Sequence, residues 1–430
     1  MSTRSGLLAT TLEVLGTARM AAAISVTALG LMFCSRLVRS LIGWPGFLAA
    51  LAALVVLAGL SLFARRASLE WRGLLPVSLL IFVGWCGLTV FWSNYNWATL
   101  GSVLYTMAIA VLAIYVALTR DLLQTVRAVG DVLRFTLILS LAIEIFAGLL
   151  VDMPIKFLGV EGNLGTGSPI QGIFGLRNSL GTIALIGLIT FVIEYRTKSV
   201  PRLTAGISLS LAILGLVLTR SPVVFGAALV VGLAAIVLLM LRRLATPRRR
   251  LAQWVLLASV VVVAALTYLL RGPIITVLNA GSEFEARYAL WQRLQTFIGI
   301  RPLEGWGWIG AWRAELQPYT AINTLDSRSH GSGLNAFLDV WMQVGLVGLF
   351  CFLVLIALTF WRSWVLASTQ RGFVIIWPAL TLVALLVISL AESVVLTDWG
   401  WMLFVICAVI AADRLSWRNR FKPALEQDTN

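Results

Sequence analysis

Apolar runs close to twenty residues long recur along nearly the whole chain, and no other feature limits its folding as much. Twenty helical residues rise about 30 Å, the thickness of a bilayer's hydrocarbon core. The 430-residue chain is 60% hydrophobic and 12% charged, whereas soluble domains average about 45–50% apolar and about 25% charged. Within lipid every backbone polar group must be paired inside the protein, so these runs are expected as helices. They fall at roughly 17–35, 42–64, 73–92, 98–118, 130–151, 178–195, 203–219, 223–241, 252–270, 335–361, 373–393 and 399–413. The expected fold is an all-α polytopic membrane protein of about twelve transmembrane helices. No polar linker divides it, so residues 1–430 read as a single integral membrane domain.

The net charge of +14 is not arranged to bind nucleic acid. Basic residues sit in short loops between apolar runs, where they act as topology signals. Arg65, Arg66 and Arg72, then Arg120 and Arg127, then Arg196, Lys198 and Arg202 mark one set of alternate loops. Arg242, Arg243, Arg248, Arg249, Arg250, Arg362, Arg371 and the basic C-terminal tail continue it. Both termini are therefore expected in the cytoplasm, with the chain in a bacterial cytoplasmic membrane. Arg36 and Arg39 fall on the opposite side and dissent. Residues 20–34 follow Arg4 and Arg19 as a signal peptide would, yet a further span comes soon after, so they read as the first transmembrane helix. Cys34, Cys86, Cys351 and Cys407 lie in apolar segments without metal-ligand spacing. Neither disulfides, nor a metal, nor a cofactor is expected.

One long break interrupts the spans, at residues 271–333, just before the tenth helix. It carries Glu283, Glu285, Arg287, Arg293, Arg301, Glu304, Arg313, Glu315, Asp326, Arg328 and His330, the sole histidine. Loop charge assigns this segment to the extracytoplasmic side. ATP and nucleotide-sugars are absent there, so an enzyme working at that face needs a substrate already activated, typically a lipid-linked one.

Several groups near this break could carry chemistry. Asn335, Asp339 and Gln343 recur every four residues and so share one helix face, lining either a cavity or an interhelical hydrogen-bond seam. Gly345 and Gly348 are suited to close helix packing. Arg177, Arg220, Arg287 and Arg301 have no obvious carboxylate partner in their own loops. Their forked guanidinium groups suit a diphosphate, and headgroup contacts or ion pairs with Glu161, Glu283 and Glu285 are the alternative. Glu144 and Glu392, near span ends, could also pair with an arginine. Trp291, Trp306, Trp308 and Trp312 suit an interfacial belt better than sugar stacking. Residues 284–298 suggest an amphipathic helix with Phe284, Tyr288, Trp291 and Ile298 on one broad face, able to lie on the membrane and roof a cavity. His330 is a candidate general base, since imidazole titrates near neutrality.

Taken together, four segments resemble the O-antigen ligase and polymerase family of bacterial envelope glycosyltransferases, exopolysaccharide polymerases included. Val90-Phe-Trp-Ser-Asn-Tyr-Asn-Trp97 resembles its Trp-Ser turn, and Gln171-Gly-Ile-Phe-Gly-Leu-Arg-Asn-Ser-Leu-Gly181 its Gly-x-Phe-Gly-His-Lys-Asn-x-x-Gly motif. Arg287-Tyr-Ala-Leu-Trp291 with Arg301-Pro-Leu-Glu-Gly-Trp-Gly307 resembles its Arg-x-x-x-Trp and Arg-Pro-x-x-Gly-x-Gly signature. The stretch from Asn335 to Gly348 resembles its His-Asn-x9-Gly-x-x-Gly hallmark, so residues 284–348 are the most family-like.

The resemblance implies inverting, metal-independent transfer of a glycan from an undecaprenyl-diphosphate donor to a glycan or lipid-glycan acceptor. It implies diphosphate binding by Arg287 and, by position, Arg177, with Arg220 displaced because Arg220-Ser221 stands where the family often reads Ser-Arg. The hallmark histidine is Leu334 here. His330, four residues upstream, would stand about one turn away if the helix extended that far, and could supply the catalytic base. A transporter or lipid flippase, or a non-catalytic member of a polysaccharide export complex, is the alternative. Transporters more often show paired internal repeats, which this chain lacks.

Overall fold

The computed structural model describes residues 13–66, 76–270, 272–273, 281–324 and 330–414. Among them the chain forms helices, turns and one isolated bridge between Ile155 and Val160. In order the helices are α1 (Ala18–Phe33), α2 (Ser35–Ala64), α3 (Val77–Leu88), α4 (Asn96–Thr119), α5 (Leu122–Ile145), α6 (Arg177–Thr197) and α7 (Arg202–Thr219). They continue as α8 (Pro222–Leu241), α9 (Thr246–Leu269), α10 (Gly281–Ile300), α11 (Tyr319–Thr324), α12 (Ala336–Thr369), α13 (Ile376–Ser389) and α14 (Asp398–Arg414).

Among the described residues, 7 helices are long and apolar enough to cross a membrane: α2, α4, α5 with its continuation to Leu150, α6, α7, α8 and α12. Shorter apolar helices cover Ala18–Phe33, Val77–Phe91 and Phe373–Ser389. Length and hydropathy thus fall short of the twelve spans that the apolar runs suggest. α14 forms the middle of the bundle, with every residue from Trp401 to Ala412 buried. α6 is also largely enclosed, whereas α2, α7 and α8 present most of their surface outward. That contrast follows composition: α8 is almost purely aliphatic, as a lipid-facing helix can be, while α6 mixes small and polar residues that permit close contact.

The breaks matter as much as the spans. Gly43 (φ 70°) with Pro45 interrupts α2, so residues 35–42 form a short helical stretch ahead of the main span. Gly345 (φ 68°) interrupts α12 in the same way. Antiparallel connections then gather the beginnings of α2, α4, α6, α8, α12 and α14 at one end of the bundle, together with the ends of α5 and α13. The polar residues considered below lie at that end.

α10 is not a bundle helix. It packs on α12 over a separate apolar core of Leu290, Leu294, Ile298, Ile309, Trp312, Tyr319, Ile322 and Met342. The buried stripe on α10 is Leu290, Leu294 and Ile298, while Tyr288 is 52% exposed. This corrects the amphipathic face expected from sequence: Ile298 belongs to the buried side, Trp291 borders it and Tyr288 does not. The Phe284 and Glu283 side chains, and Arg271, Asp326 and Arg328, lie outside the described residues.

Candidate functional site

Gly345 is where the site begins to take shape. Its left-handed φ suits glycine, and a Cβ there would overlap the Leu303 carbonyl. The interruption frees carbonyls in the preceding turn, and the Arg301–Gly307 segment supplies donors for them. Trp306 N donates to Met342 O (3.0 Å) and Gly307 N to Gln343 O (2.8 Å), while Leu346 N donates back to Pro302 O (2.9 Å). Trp85 Nε1 donates to Val344 O at 2.9 Å. Backbone at this depth must be paired by protein, and two sequence motifs pair each other. Gly345 is thus a helix break; Gly348 does sit in a close contact, against Trp85.

The polar stripe of α12 holds this arrangement. Gln343 is fully buried; its Oε1 accepts from Ile309 N (2.9 Å) and Gly310 N (2.8 Å), and its Nε2 donates to Gly310 O (3.0 Å). Asp339, also fully buried, accepts from Trp312 Nε1 (2.6 Å), Gly333 N (2.9 Å) and Ser393 Oγ. Asn335 caps α12 through Phe337 N and Leu338 N at 3.0 and 3.1 Å, and donates to Leu390 O at 3.2 Å. Buried carboxylates and amides need such partners, because desolvation without them costs several kcal/mol (roughly 2–7 for a neutral polar group). The stripe is accordingly a hydrogen-bond seam tying the segment before α12 to the α13–α14 connection.

Ser393 leads directly to the next cluster. Its neighbour Glu392 pairs with Arg287 of α10 at 3.1 Å, and Arg287 also donates to Ala391 O. The same Glu392 oxygen accepts from Asn178 Nδ2 at 2.6 Å. Asn178 Oδ1 in turn accepts from Ser221 Oγ at 2.7 Å, and Ser221 caps α8 through Val224 N. One chain of contacts, Arg287–Glu392–Asn178–Ser221, therefore joins α10, the α13–α14 connection and the starts of α6 and α8. It places the backbones of Arg177 and Arg220 one residue from the network. Arg177 opens α6 and is half-buried, while Arg220 is exposed in a left-handed conformation (φ 43°).

Arg301 stands elsewhere, as a tether. It donates to Trp92 O (3.3 Å) and Asn94 Oδ1 (3.1 Å) and stacks on Trp306 with 4.7 Å to the ring centroid. Trp92 Nε1 returns a bond to Glu304 O at 3.0 Å. The Trp-Ser turn and the Arg-Pro motif thus recognise each other.

His330 belongs to a segment pinned at both ends. Its N–H donates to Asn323 Oδ1 (2.8 Å), its carbonyl accepts from Asn323 Nδ2 (3.3 Å), and Gly331 and Gly333 carbonyls accept from Trp312 N and Trp291 Nε1 (both 3.0 Å). α12 starts at Ala336 with Asn335 as its cap, and Leu334 is left-handed (φ 49°). His330 is therefore not one turn up the same helix. It is carried by the loop that Asp339 holds at Gly333.

The tryptophans of this segment form a core instead of a belt. Trp308 and Trp312 are 1% and 7% exposed, and all four indole N–H groups are used internally, Trp306 toward Phe297 O at 3.0 Å and Trp308 toward Thr106 Oγ1 at 2.9 Å. Exposed indoles suited to an interface are Trp44, Trp97, Trp254 and Trp361. In the sequence Glu392 is one of several carboxylates able to pair with an arginine, and Asn178 and Ser221 carry no sign of a role beyond their adjacency to Arg177 and Arg220. The dissenting Arg39 is also explained: it pairs with Asp398 at 2.8 Å and stacks on Trp44, so its charge is neutralised locally.

A family model described as O-antigen ligase matches residues 207–353. The match runs from within α7 to within α12 and includes Arg220, Arg287, Arg301, His330, Asn335, Asp339 and Gln343. A search of curated proteins returns no match.

Proposed function

We propose that this chain, which belongs with the O-antigen ligase-like proteins, transfers or polymerises a glycan carried on undecaprenyl diphosphate at the outer face of the bacterial cytoplasmic membrane. The observation that carries this reading is the Arg287–Glu392–Asn178–Ser221 chain, which brings three arginine-bearing motifs to one end of the bundle. In the reaction an acceptor hydroxyl oxygen attacks the anomeric carbon as the bond to the diphosphate oxygen breaks. The bonding pair leaves with the diphosphate, and the hydroxyl proton passes to a base. Attack opposite the leaving group inverts the anomeric configuration.

Arg287, with Arg177 and Arg220, receives the charge that grows on the diphosphate. This is the task a divalent cation performs in other transferases, so the arginines supply it without a metal. Glu392 fixes the direction of Arg287. His330 is the proton acceptor in this reading, held by Asn323 and by the loop anchored on Asp339. Arg301 supports the site by fixing the Arg-Pro segment, and Asn335, Asp339 and Gln343 support it as the hydrogen-bond seam behind it. The neutralised Arg39 supports the orientation with both termini in the cytoplasm.

Arg287→Ala and His330→Ala, expressed at normal levels in a deletion strain, should each leave lipid-linked glycan untransferred or unpolymerised. Normal surface polysaccharide from both variants would remove these residues from the reaction. Movement of labelled substrate across vesicles that lack any acceptor would instead favour a transporter.

A further inference from the structure

Arg36 and Arg39 are adjacent turns of the stretch that precedes the Gly43 break, yet their surroundings differ. Arg39 is paired with Asp398. Arg36 is exposed, and no carboxylate pairs with it among the described residues. Its guanidinium lies against the backbone of the long loop before α6. A Cβ at Gly175 would overlap that guanidinium, and one at Gly159 would stand 2.6 Å from Nη2. Both glycines are left-handed, with φ of 67° and 68°. The Gln171 amide, with its nitrogen turned toward the carbonyls, bridges Gly175 O and Gly159 O at 3.1 Å each. Glu144 Oε1 holds the same loop through Gln171 N and Gly172 N, both at 2.8 Å.

The loop is thus folded around a slot that accepts one guanidinium. Gly175 is two residues from Arg177 and three from Asn178, which hydrogen bonds Glu392. A cation held there, exposed and with no carboxylate paired to it among the described residues, is arranged for an anion from outside the chain. We propose that Arg36 is a further binding residue for the diphosphate of the polyprenyl donor, gripping it from the α2 side of the α6 start. This rests on the donor assigned under the proposed function. Phospholipid phosphate offers the same chemistry, so the test separates the two sources.

The full chain is reconstituted in nanodiscs of phosphatidylcholine, or of phosphatidylcholine with phosphatidylglycerol, and binding of geranylgeranyl diphosphate is measured. Arg36→Ala should weaken binding in both lipids by roughly ten- to a hundredfold, the range for a lost charge-assisted hydrogen bond. Arg36→Lys should retain part of it, and both variants should melt as the wild type does. Gly175→Ala serves as a second probe, displacing the guanidinium while keeping its charge, with a matching loss. Equal binding by wild type and Arg36→Ala in both lipids overturns the proposal. A difference confined to phosphatidylglycerol discs also overturns it, making Arg36 a headgroup contact. If Arg287→Ala loses the probe and Arg36→Ala does not, only this inference fails. If the wild type does not bind it, the donor assignment falls as well.

Discussion

At one end of the bundle Arg134 of α5 sits between two carboxylates, while at the other Arg287 of α10 shares one carboxylate with an amide. Arg134 meets Glu194 at 2.6 Å through Nη1 and at 3.2 Å through Nη2, and it also pairs with Asp131. Glu194 is fully buried, and Gly130 leaves the space its carboxylate occupies. Glu194 follows Arg177 along α6 by seventeen residues, about 25 Å. The first cluster therefore over-neutralises its cation and closes on itself. At the second, Glu392 answers Arg287 and Asn178, while among the described residues Arg36 and Arg220 stand around the same helix starts without a carboxylate paired to them. Buried ion pairs are poor sources of stability but breaking one is costly. A closed cluster reads as structure, and a cluster with surplus cation reads as a place for a charged ligand.

The largest expected effect tests that contrast directly. Arg287→Ala should lower glycan transfer by about 10²–10³-fold, the usual loss when one group stabilising the leaving charge is removed. Arg134→Ala should leave transfer per folded molecule near the wild-type rate. It strands Glu194, so it should lower the melting temperature and yield, at a cost of about 3–5 kcal/mol. Transfer from a lipid-linked donor, normalised to folded protein, separates them. Equal losses of specific transfer in both variants would erase the distinction between the clusters.

Glu392→Gln gives a finer reading. The amide oxygen can still accept from Asn178, but the charge facing Arg287 is gone. Transfer should fall roughly tenfold, consistent with one weakened charge-assisted contact. The loss should appear more in kcat than in KM if Glu392 positions Arg287 for the developing charge, and Glu392→Asp should recover part of it. An unchanged rate with Glu392→Gln would reduce the pair to a structural staple like Arg134–Glu194.

These clusters also mark what the sequence reveals. Apolar length locates the helices well, because spanning lipid leaves few alternatives to a helix. The resemblance around Arg287, Arg301 and Asn335 falls within the stretch that the O-antigen ligase family model matches. What escapes is tertiary. Arg287 and Glu392 are 105 residues apart, and no local pattern pairs them. Gly345 lies inside a stretch that reads as one unbroken span, so hydropathy carries no sign of the break that lets Gly307 and Trp306 dock. The four indoles read as belt residues because a tryptophan's position relative to a small outer core is invisible in one dimension. The buried face of α10 is hidden for the same reason: periodicity admits several registers, and only the Leu290–Leu294–Ile298 side has α12 opposite it.

A smaller effect concerns Leu334, where the family motif has histidine. Its φ of 49° is unfavourable for leucine, whereas asparagine and histidine tolerate that region better and glycine best. Leu334→Gly should raise stability by up to about 1 kcal/mol, less whatever Leu334 gains by packing on the outer core. Leu334→His in a His330→Ala background tests the base assignment. Recovery of transfer would show that a side chain at 334 reaches the acceptor, whereas no recovery would leave the reaction with the loop histidine.

The smallest effect lies in the outer core itself, where Tyr319 packs on Trp312 with ring centroids 5.1 Å apart. Tyr319 is 1% exposed, and its hydroxyl has no hydrogen-bond partner among the described residues. Burial first, and the nearby Asp339 charge second, push its pKa above the ordinary tyrosine range. Folded Tyr319 therefore keeps its proton where the unfolded chain loses it, near pH 10. Below that pH neither state titrates and the linkage vanishes. Above it the unfolded state gains by ionising, so stability falls as pH rises. Tyr319→Phe removes both the unpaired hydroxyl and this linkage. Its melting temperature should match or slightly exceed the wild type at pH 8, by less than about 1 kcal/mol in stability, with the advantage widening toward pH 11. A clear loss at pH 8 would mean that the hydroxyl has a partner, and that the outer core is as closed as the Arg134 cluster.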